Sequence, residues 1–253
     1  YRYHLLDTGH VLENLALSLK ALGLTAESTF DFDDHSVNHL LGLNEDREAA
    51  LAVCRVNGMP DSFETLDSQI IDDLSETVKK ASRVSPREVV VPEVLAVHTA
   101  GYDIKPSKTD LNVCNDLGII PKSQVPVPQV SISDTGLSYP ETVFRRRSSR
   151  NFVTETLPIS HLRALLNVIT AIDHSETDQY ARSICTGFLT SGVESIEDGF
   201  YLMDENKGGL GLVGPGTFTG AMSHICLDQG WMGSAALHFV FMSNMALLEE
   251  AYG

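Results

Sequence analysis

Basic residues are scarce in this sequence. Its 253 residues hold 18 Lys and Arg against 34 Asp and Glu, a formal net charge of −16 at pH 7. So acidic a chain does not neutralise phosphates along a nucleic-acid groove, and it does not dock on anionic headgroups. We therefore expect neither a nucleic-acid partner nor a membrane partner. Cysteine is sparse as well. The four cysteines, Cys54, Cys114, Cys185 and Cys226, are widely spaced and form no C-x-x-C pair. That fits reduced thiols in a cytoplasmic protein better than a disulfide framework. No signal-peptide pattern is visible. The most apolar stretch, Trp231 to Ala246, is interrupted by Gly233, Ser234, His238, Ser243 and Asn244. It reads as a buried helix rather than a membrane span. No G-x-S-x-G nucleophile elbow occurs.

What remains is an ordinary globular composition, 43% hydrophobic and 21% charged, long enough to bury a core without disulfides or metals. The spacing of Val11, Leu15, Leu19 and Leu22 predicts a helix over Val11 to Leu24, with Gly23 at its stop. Asp33-Asp34 offers a cap for a helix over His35 to Leu41, closed by Gly42. Ala49 to Val56 reads as a short buried strand. Leu66, Ile70, Leu74 and Val78 predict a helix over Asp61 to Ser82. From Val84 to Tyr139 prolines recur, at Pro86, Pro92, Pro106, Pro121, Pro126 and Pro128, and the stretch reads as a connector with short strands. Thr142 to Ser148 looks helical. Ser160 is placed to cap a helix carrying Leu162, Leu165, Leu166, Ile169 and Ile172. Glycines over Gly199 to Gly220 suggest short strands and turns. Gly220 to Cys226 is a short element of open type, and Trp231 to Tyr252 reads as one long, mostly apolar helix.

The densest chemistry lies in Arg145-Arg146-Arg147-Ser148-Ser149-Arg150-Asn151-Phe152. Four arginines in six positions form the basic cluster of an otherwise acidic chain. Guanidinium groups match phosphate oxygens in a planar fork, and Ser148 adds a hydroxyl donor. The competing reading is a solvated basic face at a helix end.

This segment, followed by Leu157-Pro158-Ile159-Ser160-His161-Leu162 and Leu165-Leu166, resembles the opening of a domain of the nitroreductase superfamily, in its SagB/ThcOx-type dehydrogenase branch. Gly199-Phe200-Tyr201-Leu202-Met203-Asp204 resembles the G-x-Y-x-x-D strand of that branch. Cys226-Leu227-Asp228-Gln229-Gly230-Trp231 agrees with it, although Gln229 also reads as a helix cap and Trp231 as a core aromatic. The resemblance implies an α+β fold with a mainly antiparallel sheet and flanking long helices. It implies an FMN-dependent oxidoreductase, with NAD(P)H a candidate electron donor and a small organic or peptide-derived substrate. Arg146, Arg147, Ser148 and Arg150 become the contacts to the FMN phosphate and ribityl chain.

The amino terminus resembles the later half of such a domain: Tyr1-Arg2-Tyr3, Gly9-His10, the helix to Leu22-Gly23-Leu24, then Phe32-Asp33-Asp34 and Leu40-Leu41-Gly42-Leu43. There the resemblance gives Ser28, Thr29 and Phe30 as the residues whose backbone N–H groups lie beside flavin N5. The order implies residues 1–60 as the end of one repeat, 61–139 as a helix and Pro-rich connector, and 140–253 as the start of a second repeat. A window from a tandem protein and a circular permutant both give that order. A homodimer or an intramolecular pseudo-dimer is the implied assembly. Three departures are visible. No basic residue follows Gly58, where Met59, Pro60 and Asp61 stand. No Pro-Ser-Ala-Gly-like turn occurs around Ser183 to Thr190. Asp31 stands where many relatives have Gly. These departures open a second reading, a non-catalytic domain that completes a pseudo-dimer or serves as a flavin-binding scaffold.

Other signals are set aside. Gly209 to Gly214 matches G-x-G-x-x-G, but Pro215-Gly216 follows where a helix should open, so a turn is expected. His35 and His39 share a helix face without a third ligand, and no metal site is expected. Asp7, Glu13, Asp72, Asp73 and Glu249 read as surface carboxylates.

Overall fold

The structure is a computed structural model that describes residues 2–58, 89–102, 117–126, 136–170, 183–204 and 209–252. The chain divides into two compact units, Tyr1–Lys105 and Pro106–Gly253. The expected helix over Asp61 to Ser82 lies outside the described residues.

The first unit begins with helix α1, Arg2–Ala21, which starts earlier than its apolar spacing suggested. It ends as expected. Gly23 takes a left-handed φ of 76°, and the Leu24 N–H turns back to the Leu19 carbonyl at 2.9 Å. Only Leu19 of the predicted face is buried, while Val11 is 66% and Leu22 74% exposed. Strand β1, Thr25–Thr29, pairs antiparallel with β2, Val53–Asn57, in register from Thr25↔Asn57 to Thr29↔Val53. The strand expected over Ala49 to Val56 therefore exists, shifted toward its end. It is not buried, because a two-stranded ribbon has too little sheet to cover both faces.

Helix α2, Asp34–Leu41, carries both predicted caps. The Asp33 carboxylate accepts the Ser36 N–H at 3.0 Å, and Gly42 closes the helix in the left-handed region. Buried Asn38 then ties the following loop to this helix. Its Oδ1 accepts the Ala50 N–H at 2.8 Å, and its Nδ2 donates to Glu45 at 3.3 Å. The proline-rich stretch contains a helix that was not anticipated, α3, Pro92–Thr99, with proline in its first turn, where no N–H is needed.

The second unit is a five-stranded antiparallel sheet in the order β3-β6-β5-β4-β7. Its strands are β3 Ser123–Pro126, β4 Cys185–Thr190, β5 Gly199–Asp204, β6 Gly209–Pro215 and β7 Leu237–Met242. Helix α4 is Tyr139–Arg145, and helix α5, Ile159–Thr170, covers one face of the sheet. Its Leu162 and Leu166, one turn apart, join Phe188, Tyr201, Met203, Leu210 and Leu212 in the core. Along β5 and β6 the residues of this cluster alternate, the period of one face of a strand, while Leu202 on the opposite face of β5 is buried as well. Phe188 is the centre: it stacks on Tyr201 at 5.4 Å and meets Phe239 at 5.8 Å, its register partners on both flanking strands. Thr190 and Gly199 lock the turn between β4 and β5, the Gly199 N–H donating to the threonine hydroxyl at 3.0 Å. The α+β fold with a mainly antiparallel sheet is as expected.

Several local expectations are corrected. Trp231 to Tyr252 is not one helix. It is a 3-10 turn, Gly230–Ser234, then β7, then helix α7, Met245–Tyr252. A short apolar run fits a strand or a helix equally by periodicity, and here the open edge of β4 takes it in a ladder from Cys185↔Met242 to Thr190↔Leu237. Gly209 to Gly214 is not a turn but most of β6. Glycine is needed there, because a Cβ on Gly211 would lie 2.5 Å from the Pro121 ring. Ser160 lies inside the first turn of α5 rather than capping it. Gly220 to Cys226 belongs to helix α6, Thr219–Ile225. No helix among the described residues is long and apolar enough to cross a membrane.

Candidate functional site

The arginine segment is held at both ends. At its start, α4 is opened by a reciprocal cap: the Ser138 N–H donates to Glu141 Oε2 at 2.9 Å, and the Glu141 N–H donates to Ser138 Oγ at 3.4 Å. The helix expected over Thr142 to Ser148 ends at Arg145, and Arg146 leaves it with ψ 134°. Arg147 then closes the helix. Its Nη1 donates to the carbonyls of Phe144 at 2.7 Å and Arg146 at 2.8 Å, so a cation sits on the negative end of the helix. Beyond it the chain runs without regular structure through Ser148, Ser149, Arg150 and Asn151, all exposed. At its far end Phe152 stacks on Trp231, ring centroids 5.6 Å apart and planes 30° apart.

Between those anchors, Arg146, Ser148 and Arg150 face solvent. Among the described residues no carboxylate pairs with Arg145, Arg146, Arg147 or Arg150. In a chain of net charge −16 that is an uncompensated basic segment with fixed ends. Chemically it suits a phosphate: charged planar donors and a hydroxyl on one short stretch. The aromatic stack was not anticipated as a pair. Phe152 was read only as part of the motif, and Trp231 as a core aromatic, whereas it is half-buried. Nor does Gln229 cap the following turn with its side chain.

The other predicted residues lie in the first unit. Ser28 and Thr29 end β1, paired with Cys54 and Val53, and Phe30 follows, half exposed. Thr29 Oγ1 accepts the Asp31 N–H at 3.1 Å, so Asp31 is held by a local turn. Each candidate set is continuous in its own unit: residues 28–30 in the first, residues 146–150 in the second.

His35 and His39 line an open cleft of about 500 Å³ with Leu43, Asn44, Glu45 and Asp46. His35 Nδ1 lies 3.0 and 3.1 Å from the two Glu45 oxygens. This bond holds the Glu45 carboxyl below its usual range. Tyr102 meets His35 edge-on at 4.8 Å, and its hydroxyl lies 2.9 Å from His98 Nε2. Among the described residues no group of three or more His, Cys, Asp and Glu side chains could hold a metal ion.

No protein-family model matches the sequence, and no curated protein matches it. The fold does have a counterpart: this is the nitroreductase-like α+β fold. The chain superposes with a TM-score of 0.69 on a crystal structure of a "putative nitroreductase" from Anabaena variabilis ATCC 29413. The likeness covers 98% of this chain at 24% identity, and the chain spans 52%, about half, of that protein's length.

Proposed function

We propose that the chain is part of an FMN-dependent oxidoreductase of the nitroreductase superfamily, of the SagB/ThcOx type. It would pass hydride through bound flavin to a small organic or peptide-derived substrate, with NAD(P)H as candidate donor. The observation that carries this reading is the anchored, uncompensated arginine segment on a nitroreductase-like fold. The residues fit the phosphate end of the cofactor. Arg146 and Arg150 supply charged forks and Ser148 a hydroxyl, while Arg147 is partly engaged in closing α4. When bound, the flavin supplies hydride acceptance and return; the protein supplies binding and electrostatics. The resemblance assigns Ser28, Thr29 and Phe30 the backbone N–H donors beside the flavin ring, where a donor not used in the β1–β2 ladder would stabilise negative charge. No protein nucleophile is needed in such chemistry.

The test is the flavin content of the purified protein, read from its visible absorption. Arg146→Ala combined with Arg150→Ala spares the Arg147 cap, so the fold should persist while flavin is lost. Unchanged flavin content in that variant would overturn the phosphate site.

A second reading is favoured by α1. Its residues Val11 and Leu15, which share a face, and Leu22 just past its end stay exposed. Such a face supports a domain that completes a homodimer or an intramolecular pseudo-dimer without catalysing anything itself. The span of about half the counterpart's length is in keeping with a window of a tandem protein, residues 1–60 ending one repeat and 140–253 opening another. A colourless protein that takes up no added FMN would favour this second reading.

A further inference from the structure

Arg163 lies on α5, directly after the fully buried Leu162 and one turn before Leu166, at the flank of the face that packs on the core. Its side chain is 3% exposed. Both terminal nitrogens, Nη1 and Nη2, are sealed from solvent, and among the described residues neither has a hydrogen-bond partner. A guanidinium does not deprotonate in a protein, so this burial encloses a full positive charge. Buried charges are found paired, because the desolvation of a lone one is not repaid. Glu194, beside the start of α5, accepts the Ile159 N–H at 3.3 Å and is not a partner of either guanidinium nitrogen.

Nη1 and Nη2 are the two nitrogens that together make the end-on, bidentate fork for a planar pair of oxygens. We propose that Arg163 is the cation of an internal oxyanion site in the second unit. It takes a phosphate or carboxylate group through that fork, and the side chains over the guanidinium move aside to admit it. The site does not depend on the flavin reading. Arg146 and Arg150 are exposed, Arg163 is buried, and none of the proposed flavin contacts takes part.

The experiment is thermal melting of the chain against inorganic phosphate and, separately, acetate, at constant ionic strength made up with chloride. The expected result is a saturable rise in Tm of about 3 °C or more once the anion reaches roughly ten times its dissociation constant. A response to phosphate identifies a phosphate group as the ligand, and a response to acetate alone identifies a carboxylate. In the Arg146→Ala/Arg150→Ala background, which removes the proposed flavin-phosphate contacts, Arg163→Met should abolish the rise and, in chloride, raise the melting temperature, because the unpaired charge is gone. Arg146→Ala with Arg150→Ala should keep the rise. The proposal is overturned if neither anion raises Tm, if the rise vanishes in the Arg146→Ala/Arg150→Ala variant, or if it survives when Arg163→Met is added to that variant. Should Arg163→Met fail to fold, Arg163→Lys decides. Lysine keeps the charge but lacks the fork, so affinity should fall about tenfold, and unchanged affinity overturns the site.

Discussion

Phe152 lies against Trp231 with ring centroids 5.6 Å apart, which fastens the end of the arginine segment to the 3-10 turn ahead of β7. Residues 146–151 are otherwise exposed, so this contact restrains where Arg150 can go. A stacked aromatic pair is worth about 0.5–1.5 kcal/mol beyond its buried area. Trp231 is the sole tryptophan of the chain, and its fluorescence therefore reports this one contact. We predict that Phe152→Ala shifts the emission to the red, costs about 1 kcal/mol, and weakens flavin retention with every arginine still present. An emission maximum unmoved by the substitution would mean that the stack does not hold in solution.

Asn38 is the polar tie of the first unit. It is fully buried, and its carbonyl oxygen is the acceptor for the Ala50 N–H at 2.8 Å. Asn38→Ala removes that acceptor and also strands the donor, which costs about 1–3 kcal/mol. For a chain of this size the Tm should fall by roughly 4–8 °C for a loss near the middle of that range. Hydrogen exchange at Ala50 should speed up in the variant, and an unchanged rate there would show that the loop is held by something else.

Helix α2 carries an acid-sensitive start. The Ser36 N–H and hydroxyl, at 3.0 and 2.9 Å, hold the Asp33 carboxyl below its usual value, and His35 does the same for Glu45. A carboxyl depressed in the folded state contributes stability above its unfolded pKa and loses it as pH falls through the folded one. Both contributions should therefore fade as pH drops below the ordinary carboxylate range, near 4. Asp34 runs the other way. Burial raises its pKa, so it opposes the fold at neutral pH and ceases to do so on acidification. Side-chain titration by NMR should place the Asp33 midpoint below that of Asp34. Asp33→Asn, which can still cap, should remove the pH dependence of the Ser36 amide. Midpoints in the reverse order would contradict the capped geometry.

Local rules were sufficient where a residue acts on its own neighbours. Asp33 and Gly42 marked both ends of α2, and Gly23 marked the stop of α1, because caps and left-handed turns depend on a few adjacent backbone groups. The arginine cluster was equally plain in the sequence, since charge density needs no fold to be seen. Tertiary contacts decided the rest. The run from Leu237 to Met242 became a strand because β4 had an unpaired edge to fill, which no periodicity records. Gly209 to Gly214 became β6 because β5 and β3 pair with it on either side, and Gly211 lets the Pro121 ring come close. Phe152 and Trp231 lie far apart in the chain, and only the folded unit brings their rings together. Arg163 was not singled out in the sequence, where it is one cation at the flank of the apolar stripe of α5. Its burial without a partner emerged only once the helix lay on the sheet, for desolvation depends on everything that surrounds a charge.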